Sequence, residues 1–295
     1  MEIDRRLLLR RVAQATSVGG LIVLPALGRP GLVTGAVSAA RPGDGSAPSS
    51  AAPVAVAAPA IVSRSSWQAP AQPPTQAPTV QYDRVVRVAF VHHTDNPNSY
   101  APQDVPEILR EIHHDHLENR GWDDIGYNFL VDRFGTIYEG RAGGVDRPVV
   151  GAHTVGFNRE TVGIAAIGTF DDAEVPEALV AATSALVAWR LGLCGSDPGG
   201  RYDLTSTNGD SRFPAGTRHT FNAVSGHRDA FCTTCPGEAL YALLPRIAER
   251  AAAIQRQADA SQARTDWQPL APHRSATGPS AGQSRWTPRL PGRAR

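Results

Sequence analysis

The chain of 295 residues has few cysteines, few aromatic residues and almost no net charge. Lysine and arginine total 29 against 28 for aspartate and glutamate, so the formal net charge is +1. The whole-chain basic field of a nucleic-acid-binding protein is therefore missing, and we expect no nucleic-acid partner. Aromatic residues make up 6% and hydrophobic residues 41% of the chain, which favours one globular domain with non-globular ends over two full domains.

The sequence also lacks a hydrophobic run of comfortable membrane-spanning length. Its most apolar stretch near the N-terminus, residues 18–27, is interrupted by glycine and proline, follows the basic residues of 5–11 and precedes small residues at 37–40. This order predicts a signal peptide over residues 1–40, and the pair Arg5 and Arg6 before three leucines resembles a twin-arginine export signal. An uncleaved N-terminal anchor is the alternative. We expect a secreted monomer with no stable membrane insertion after cleavage.

Composition divides the remainder of the chain into three parts. Residues 41–60 are rich in Ala, Pro, Gly and Ser, which predicts a flexible linker because such a segment has too little bulky apolar surface to offset its ordering entropy. Residues 61–255 carry the alternating apolar patterns of a folded domain. Residues 256–295 return to Gln, Ala, Ser, Pro and Arg, which predicts a disordered basic tail.

Strand and helix patterns interleave within the folded domain. A predicted hairpin around 133–135 breaks strict alternation, so the expected fold is α/β, a mixed central β-sheet flanked by helices on both faces in a single domain. The predicted strands are 84–92, 127–132, 136–140, 162–168 and 223–227, the predicted helices are 104–119, 176–191 and 238–254, and residues 194–219 are a predicted long loop.

Histidine and cysteine stand at three points that could form one metal site. His92 or His93 ends a predicted strand, His227 ends another, and Cys235 precedes the last helix. Imidazole and thiolate are ligands that Zn²⁺ prefers, and three protein ligands leave a fourth position open, as in catalytic zinc sites. A helix N-terminus at Cys235 would also favour its thiolate. Because neighbouring strand residues face opposite ways, only one of the two adjacent histidines can point at the ion.

Cysteine is scarce, and its odd number is informative. In an exported protein, three cysteines favour one disulfide plus one thiol with another task, so we hypothesise a disulfide between Cys194 and Cys232. The spacing of Cys232 and Cys235 also fits a redox pair or half of a structural zinc site. The thioredoxin-like context or second ligand pair that these alternatives need is not evident.

Two further residues could assist hydrolysis at such a metal, which would polarise an amide carbonyl. Tyr127 and Thr233 both carry hydroxyl groups that could stabilise a tetrahedral intermediate. Each also has a structural alternative, a core hydrogen bond for the tyrosine and a helix cap for the threonine.

His113 and His116 are spaced for metal binding on one helix, but no acidic or cysteine partner accompanies them, so we expect a solvated or capping role.

Seven segments occur in a distinctive order: VHHT at 91–94, GWDDIGYNFLV at 121–131, GTIYEGR at 135–141, GAHTVGFN at 151–158, GI at 163–164, GHRD at 226–229 and TTCPG at 233–237. Together they resemble the peptidoglycan recognition protein and type 2 N-acetylmuramoyl-L-alanine amidase family, over about 64–250. The resemblance is greatest to exported actinobacterial members that have a Ser/Thr/Gly-rich loop before the second zinc histidine.

The resemblance implies a zinc amidase that cleaves the bond between the lactyl group of N-acetylmuramic acid and L-alanine of the stem peptide, with peptidoglycan as partner. Non-catalytic relatives typically lack the cysteine ligand, which this sequence keeps. An enzyme is therefore expected, and a peptidoglycan-binding domain with little or no activity is the alternative. The resemblance places the zinc ligands at His92, His227 and Cys235, the catalytic groups at Tyr127 and Thr233, and glycan or peptide contacts at His153 and Asn158.

Overall fold

The computed structural model of the chain describes residues 53–68 and 79–266. The predicted signal peptide, residues 41–52 of the predicted linker and residues 267–295 of the predicted tail lie outside these ranges. Among the described residues, no helix combines the length and the apolar character that a membrane crossing requires.

A six-stranded sheet forms the centre of the fold, in the order β1, β4, β3, β5, β2, β8. All neighbouring pairs are parallel except the antiparallel β3 and β4, so the sheet is mixed, as predicted. The strands are β1 Ile61–Val62, β2 Val88–His93, β3 Phe129–Val131, β4 Ile137–Glu139, β5 Thr161–Ala166, β6 Arg201–Thr205, β7 Arg218–Asn222 and β8 Val224–Gly226. The helices are α1 Val105–His114, α2 Glu177–Gly192, α3 His227–Ala230, α4 Glu238–Tyr241 and α5 Leu244–Asp266, and a π-helical turn at Asp115–Asn119 continues α1.

Helices cover both faces of this sheet. Alternate strand residues point to opposite faces, so β3 sends Phe129 and Val131 into one core cluster and Leu130 into another. The first cluster includes the buried residues of α2 and α5, and the second includes those of α1. The strands are buried on both sides, which explains why β2 and β5 have continuous apolar runs instead of alternating ones.

The stretch 194–219 is not the featureless loop that its composition predicts. Strands β6 and β7 form an antiparallel pair, with Tyr202 opposite Phe221 and Leu204 opposite His219. Leu204 and Phe221 are buried and pack in one cluster with Phe90 and Phe157. The prediction was wrong because only two of the ten strand residues are buried apolar groups, and the polar residues between them have a loop-like composition.

Two predicted boundaries also differ from the structure. The last helix continues to Asp266, eleven residues past the predicted domain end at 255. Residues 256–266 favour this continuation because they include three Ala, two Gln and two Arg and no Gly or Pro. The helix predicted over 238–254 is split into α4 and α5. At the other end, the last residues of the predicted linker contact the domain, since the Val54 N–H donates to Gly192 O at 2.9 Å and Val56 packs on the core.

A buried ion pair joins the segment after β1 to the loop before β3. The Arg64 guanidinium lies 2.7 Å from Oδ1 of Asp124, whose side chain is 1% exposed, and His113 Nε2 lies 3.2 Å from the same oxygen. Burial alone would raise the pKa of Asp124, but the bond from His113, the Arg64 charge and the N–H of Ala142 outweigh it and lower the pKa to about 2. The solvated or capping role expected for His113 was wrong, because its Nε2 instead contacts Arg64 and Asp124 in this network.

We predict that Asp124→Asn lowers the free energy of unfolding by about 2 kcal/mol at pH 7. The folded pKa lies below the unfolded value, so the stabilisation is complete above pH 4 and is lost as the pH falls towards 2. Urea unfolding at several pH values should show the free energies of unfolding of wild type and Asp124→Asn converging as the pH falls from about 4 to about 2. Asp123→Asn is the matched control, because the neighbouring carboxylate is 47% exposed. A difference between wild type and Asp124→Asn that is constant down to pH 2 would contradict this assignment.

Candidate functional site

Three chain segments converge at the carboxyl edge of the sheet. β2 is the neighbour of both β5 and β8, and His92 lies near its C-terminal end. His227 follows the parallel β8 directly and begins α3. The chain then turns back, with the Arg228 N–H donating to Cys235 O at 2.9 Å, and this turn brings Cys235 beside the two strand ends. Carboxyl ends of parallel strands are a common ligand-binding position in open α/β sheets.

The structure brings together the three residues predicted as metal ligands. One ligand atom each of His92, His227 and Cys235 lies within 4.8 Å of the other two. Cys235 Sγ is 3.8 Å from His92 Nδ1, and the imidazole centroids of His92 and His227 are 4.6 Å apart. His93 is placed differently, because its Nδ1 lies 3.4 Å from the Phe170 backbone N. The structure therefore selects His92 from the adjacent pair.

Burial keeps these imidazoles neutral. It lowers the pKa of His92 well below its usual value, with the neighbouring His227 and His153 adding to the effect. Burial, and then His93, lowers the pKa of His227 to about 4. A neutral imidazole has a lone pair for a metal, whereas a protonated one has none.

A buried nitrogen without a hydrogen-bond partner is a second reason why the cluster suits a metal ion. His227 Nε2 is buried without a hydrogen-bond partner, and such orphaned polar atoms are rare in folded proteins. Burial also raises the pKa of the Cys235 thiol to about 12, opposite to the helix-dipole effect that the sequence predicted. That prediction was wrong because the following helix, α4, begins only at Glu238 and has four residues. A bound cation would both satisfy His227 and favour the thiolate.

The two predicted hydroxyl groups lie near different members of the cluster. The Tyr127 ring centroid is 5.2 Å from that of His92, and burial, followed by the nearby Cys235, raises the Tyr127 pKa. Thr233 Oγ1 accepts the Cys235 N–H at 3.2 Å, so its own proton is free for another partner. Thr233 also lines an open cleft of about 450 Å³ with Asp171, Arg212, Arg228, Thr234 and Glu238.

The residues predicted to contact glycan or peptide have different surroundings. His153 is 6% exposed, with Nδ1 lying 3.2 Å from His92 Nε2. This burial favours a role in holding His92 over direct contact with a ligand.

Asn158 lines a second cleft, of about 400 Å³, together with Arg141, Arg159 and Thr207. Its Oδ1 accepts the backbone N–H groups of His153 and Thr154, both at 2.8 Å.

The predicted disulfide is absent, because all three cysteines have free thiols. Cys194 Sγ accepts the Val86 N–H at 3.2 Å, just before β2 begins, whereas Cys235 Sγ accepts the N–H of His93 at the far end of the strand. The strand is about 17 Å long at 3.3 Å per residue. Cys194 thus lies beside the start of β2, whereas Cys232 is three residues from a cysteine that lies beside its end.

His116, for which the sequence predicts a solvated or capping role, is instead buried near Tyr127. It is 5% exposed in the π-helical turn, where its Nδ1 accepts the Gly126 N–H at 3.1 Å. Its ring centroid is 5.4 Å from that of Tyr127. The apolar stripe of the helix did not reveal this burial, because the π-turn changes the helical phase just before His116.

The fold and the cluster define an α/β protein with a candidate three-ligand metal centre at the sheet edge. Comparisons with known proteins identify the family. The sequence matches the N-acetylmuramoyl-L-alanine amidase family (Amidase_2) over residues 82–238, more than half of the chain. The protein therefore belongs to this family.

Relatives with curated names are peptidoglycan recognition proteins. The chain is 41% identical over 111 residues to peptidoglycan-recognition protein LE of Drosophila melanogaster, a match that covers 38% of this chain but only 30% of that protein. It is 30% identical over 185 residues to peptidoglycan recognition protein 1 of Bos indicus, covering 62% of this chain and 82% of that protein. The solved structure of peptidoglycan recognition protein-LE with tracheal cytotoxin aligns with a TM-score of 0.47 and 30% identity, over 62% of this chain and 90% of that one.

Proposed function

We propose that this protein is an exported, zinc-dependent N-acetylmuramoyl-L-alanine amidase that hydrolyses the lactyl-L-alanine amide bond of peptidoglycan. The observation that carries the proposal is the cluster of His92, His227 and Cys235 within 4.8 Å, in a chain that belongs to the amidase family. Zinc is the proposed ion because two imidazoles and one thiolate suit it and leave one position open.

The protein side chains have separate tasks in this proposal. His92, His227 and Cys235 would hold zinc, which when bound would polarise the substrate carbonyl and acidify water. Tyr127 would donate a hydrogen bond to the carbonyl oxygen as negative charge develops there, since a phenol is protonated at neutral pH and burial raises the pKa of this one further. Thr233 would donate a second one, because its oxygen already accepts the Cys235 N–H and its proton is available.

The surrounding segments complete the proposal. Residues 1–40 would direct export, 41–60 would link the leader to the amidase domain, 61–255 would contain the site, and 256–295 would extend beyond it. The two clefts, one lined by Thr233 and the other by Asn158, would receive different parts of the glycan and stem peptide. Peptidoglycan is the proposed partner because the relatives are named for its recognition.

A peptidoglycan-binding protein with little or no hydrolysis is the second candidate. The names of the relatives favour it, since they describe recognition and not cleavage. The complete ligand set favours the enzyme, because a binding protein has no need of a buried His, His and Cys cluster with an orphaned imidazole nitrogen.

Release of free L-alanine amino termini from purified peptidoglycan distinguishes the two candidates. For the amidase, we expect release that stops with a chelator and returns when zinc is added. A protein that sediments with peptidoglycan but releases no amino termini at any zinc concentration would support the binding function. Release that is insensitive to chelator would contradict the zinc assignment.

A further inference from the structure

A chain of hydrogen bonds leads from the candidate metal ligand His92 into the protein interior. His92 Nε2 lies 3.2 Å from His153 Nδ1, His153 Nε2 lies 3.4 Å from Thr161 Oγ1, and Thr161 Oγ1 lies 2.8 Å from the carbonyl oxygen of Phe157. His92, His153 and Thr161 are all buried. The last acceptor is a backbone carbonyl, and this sets the direction of the hydrogen bonds that lead to it.

Each proton position follows from the one before it. A carbonyl oxygen only accepts, so the Thr161 hydroxyl proton points at Phe157 and the threonine oxygen accepts from His153 Nε2–H. A neutral His153 has one ring proton, so its Nδ1 is a bare acceptor facing His92. His92 Nε2 can donate to this acceptor directly, or to Thr154 Oγ1, which in turn lies 2.9 Å from His153 Nδ1. With its proton on Nε2, His92 has the lone pair of Nδ1 directed towards Cys235, whose Sγ is 3.8 Å away.

The His153 ring is held in place by two glycines. A Cβ at Gly163 would lie 2.4 Å from His153 Cγ, and one at Gly151 would lie 2.5 Å from its Cδ2. Real Cβ atoms do not approach so closely, so the ring occupies space that exists only because both residues lack a side chain. Asn158 Oδ1 also fixes the backbone of His153 by accepting its N–H.

We propose that His153 is a positioning residue for the metal centre, which through Thr161 fixes the proton of His92 on Nε2 and presents His92 Nδ1 to the cation. The inference rests on the metal site of the proposed function and adds two residues to it. Thr154 supports the same arrangement, because its Oγ1 lies 2.9 Å from His153 Nδ1 and 3.4 Å from His92 Nε2. Partners of this kind set both the tautomer and the basicity of a metal-binding imidazole.

Zinc affinity of the full-length protein tests this role without reference to activity. Competition with a chromophoric chelator should give a zinc dissociation constant about 10- to 100-fold weaker for His153→Phe and for Thr161→Val than for wild type. Thr161→Ser keeps the hydroxyl and should restore binding close to wild type. Wild-type affinity in both His153→Phe and Thr161→Val would overturn the proposal, as would equal losses in Thr161→Val and Thr161→Ser. If His153→Phe does not fold, the comparison of Thr161→Val with Thr161→Ser tests the proposal by itself.

Ser184→Ala provides a matched control for lost stability. The Ser184 hydroxyl is buried and donates to the carbonyl of Val180, four residues earlier, at 2.7 Å, as Thr161 donates to Phe157. It lies in α2, away from the cluster. Its removal should lower the melting temperature but leave zinc affinity unchanged, and an equal loss of affinity there would show that Thr161 acts only through stability.

The imidazole ¹⁵N spectrum of the zinc-free protein separates failure of this inference from failure of the proposed function. We expect His92 and His153 both as the Nε2–H tautomer in wild type, and a changed His92 tautomer equilibrium in Thr161→Val. If wild type neither binds zinc nor hydrolyses peptidoglycan, the proposed function fails, while the spectrum still tests the hydrogen-bond chain. A His92 proton on Nδ1 in wild type would overturn the inference even in an active enzyme.

Discussion

Under the proposed amidase function, replacing Cys235 with alanine is expected to abolish zinc retention and to lower amide hydrolysis on the order of 1,000-fold or more. The thiol is one of three groups within 4.8 Å of one another, and its loss leaves two imidazoles, too few to hold the ion firmly. Zinc content of the purified variant, measured by mass spectrometry, and release of amino termini from peptidoglycan check the two effects. Binding to peptidoglycan should persist in part, because both clefts are lined by other residues.

Cys232→Ala is the matched control for this substitution. Cys232 lies three residues earlier in the same loop, but its side chain is exposed and it is not part of the cluster. It should retain the zinc content and hydrolysis of wild type. Full hydrolysis by Cys235→Ala would show that the metal ligands are wrongly assigned, and loss of zinc in both variants would point to damage to the loop itself.

Replacing Gly237 with alanine is expected to lower the free energy of unfolding by about 3 kcal/mol or more. Gly237 has φ of 85° and ψ of 151°, a region almost restricted to glycine. An added Cβ would also lie 2.3 Å from the backbone C and O of Phe170, a buried core residue. Backbone atoms cannot move aside as a flexible side chain can, so the loop holding Cys235 must shift. Urea unfolding and zinc affinity should both record the change.

Gly216→Ala separates backbone strain from collision. Gly216 has a similar φ of 81°, but no atom lies within 4 Å of its added Cβ. It should lose only about 1 kcal/mol, the cost of placing alanine at positive φ. A loss at Gly237 no larger than that at Gly216 would mean that the Phe170 backbone yields easily, and zinc affinity should then be unchanged.

Local sequence patterns were sufficient for most of the sheet and for the three side chains that the structure brings into one cluster. Continuous apolar runs predicted β2 and β5, and turn residues around Gly135 predicted the hairpin of β3 and β4, which the structure confirms. Patterns were least informative where few residues are buried. The β6 and β7 pair was missed for this reason, and the last helix was ended too early because its final turns are polar.

The sequence by itself determined which groups are available: imidazoles at strand ends, a thiol in the returning loop, and glycines in the motifs. Only the tertiary structure decided how they combine. It selected His92 over His93, separated Cys194 from Cys232, and buried His153 against a partner 61 positions away in the chain. Strand order and close backbone approach create these contacts. Both arise from the packing of distant segments, which no local period or spacing records.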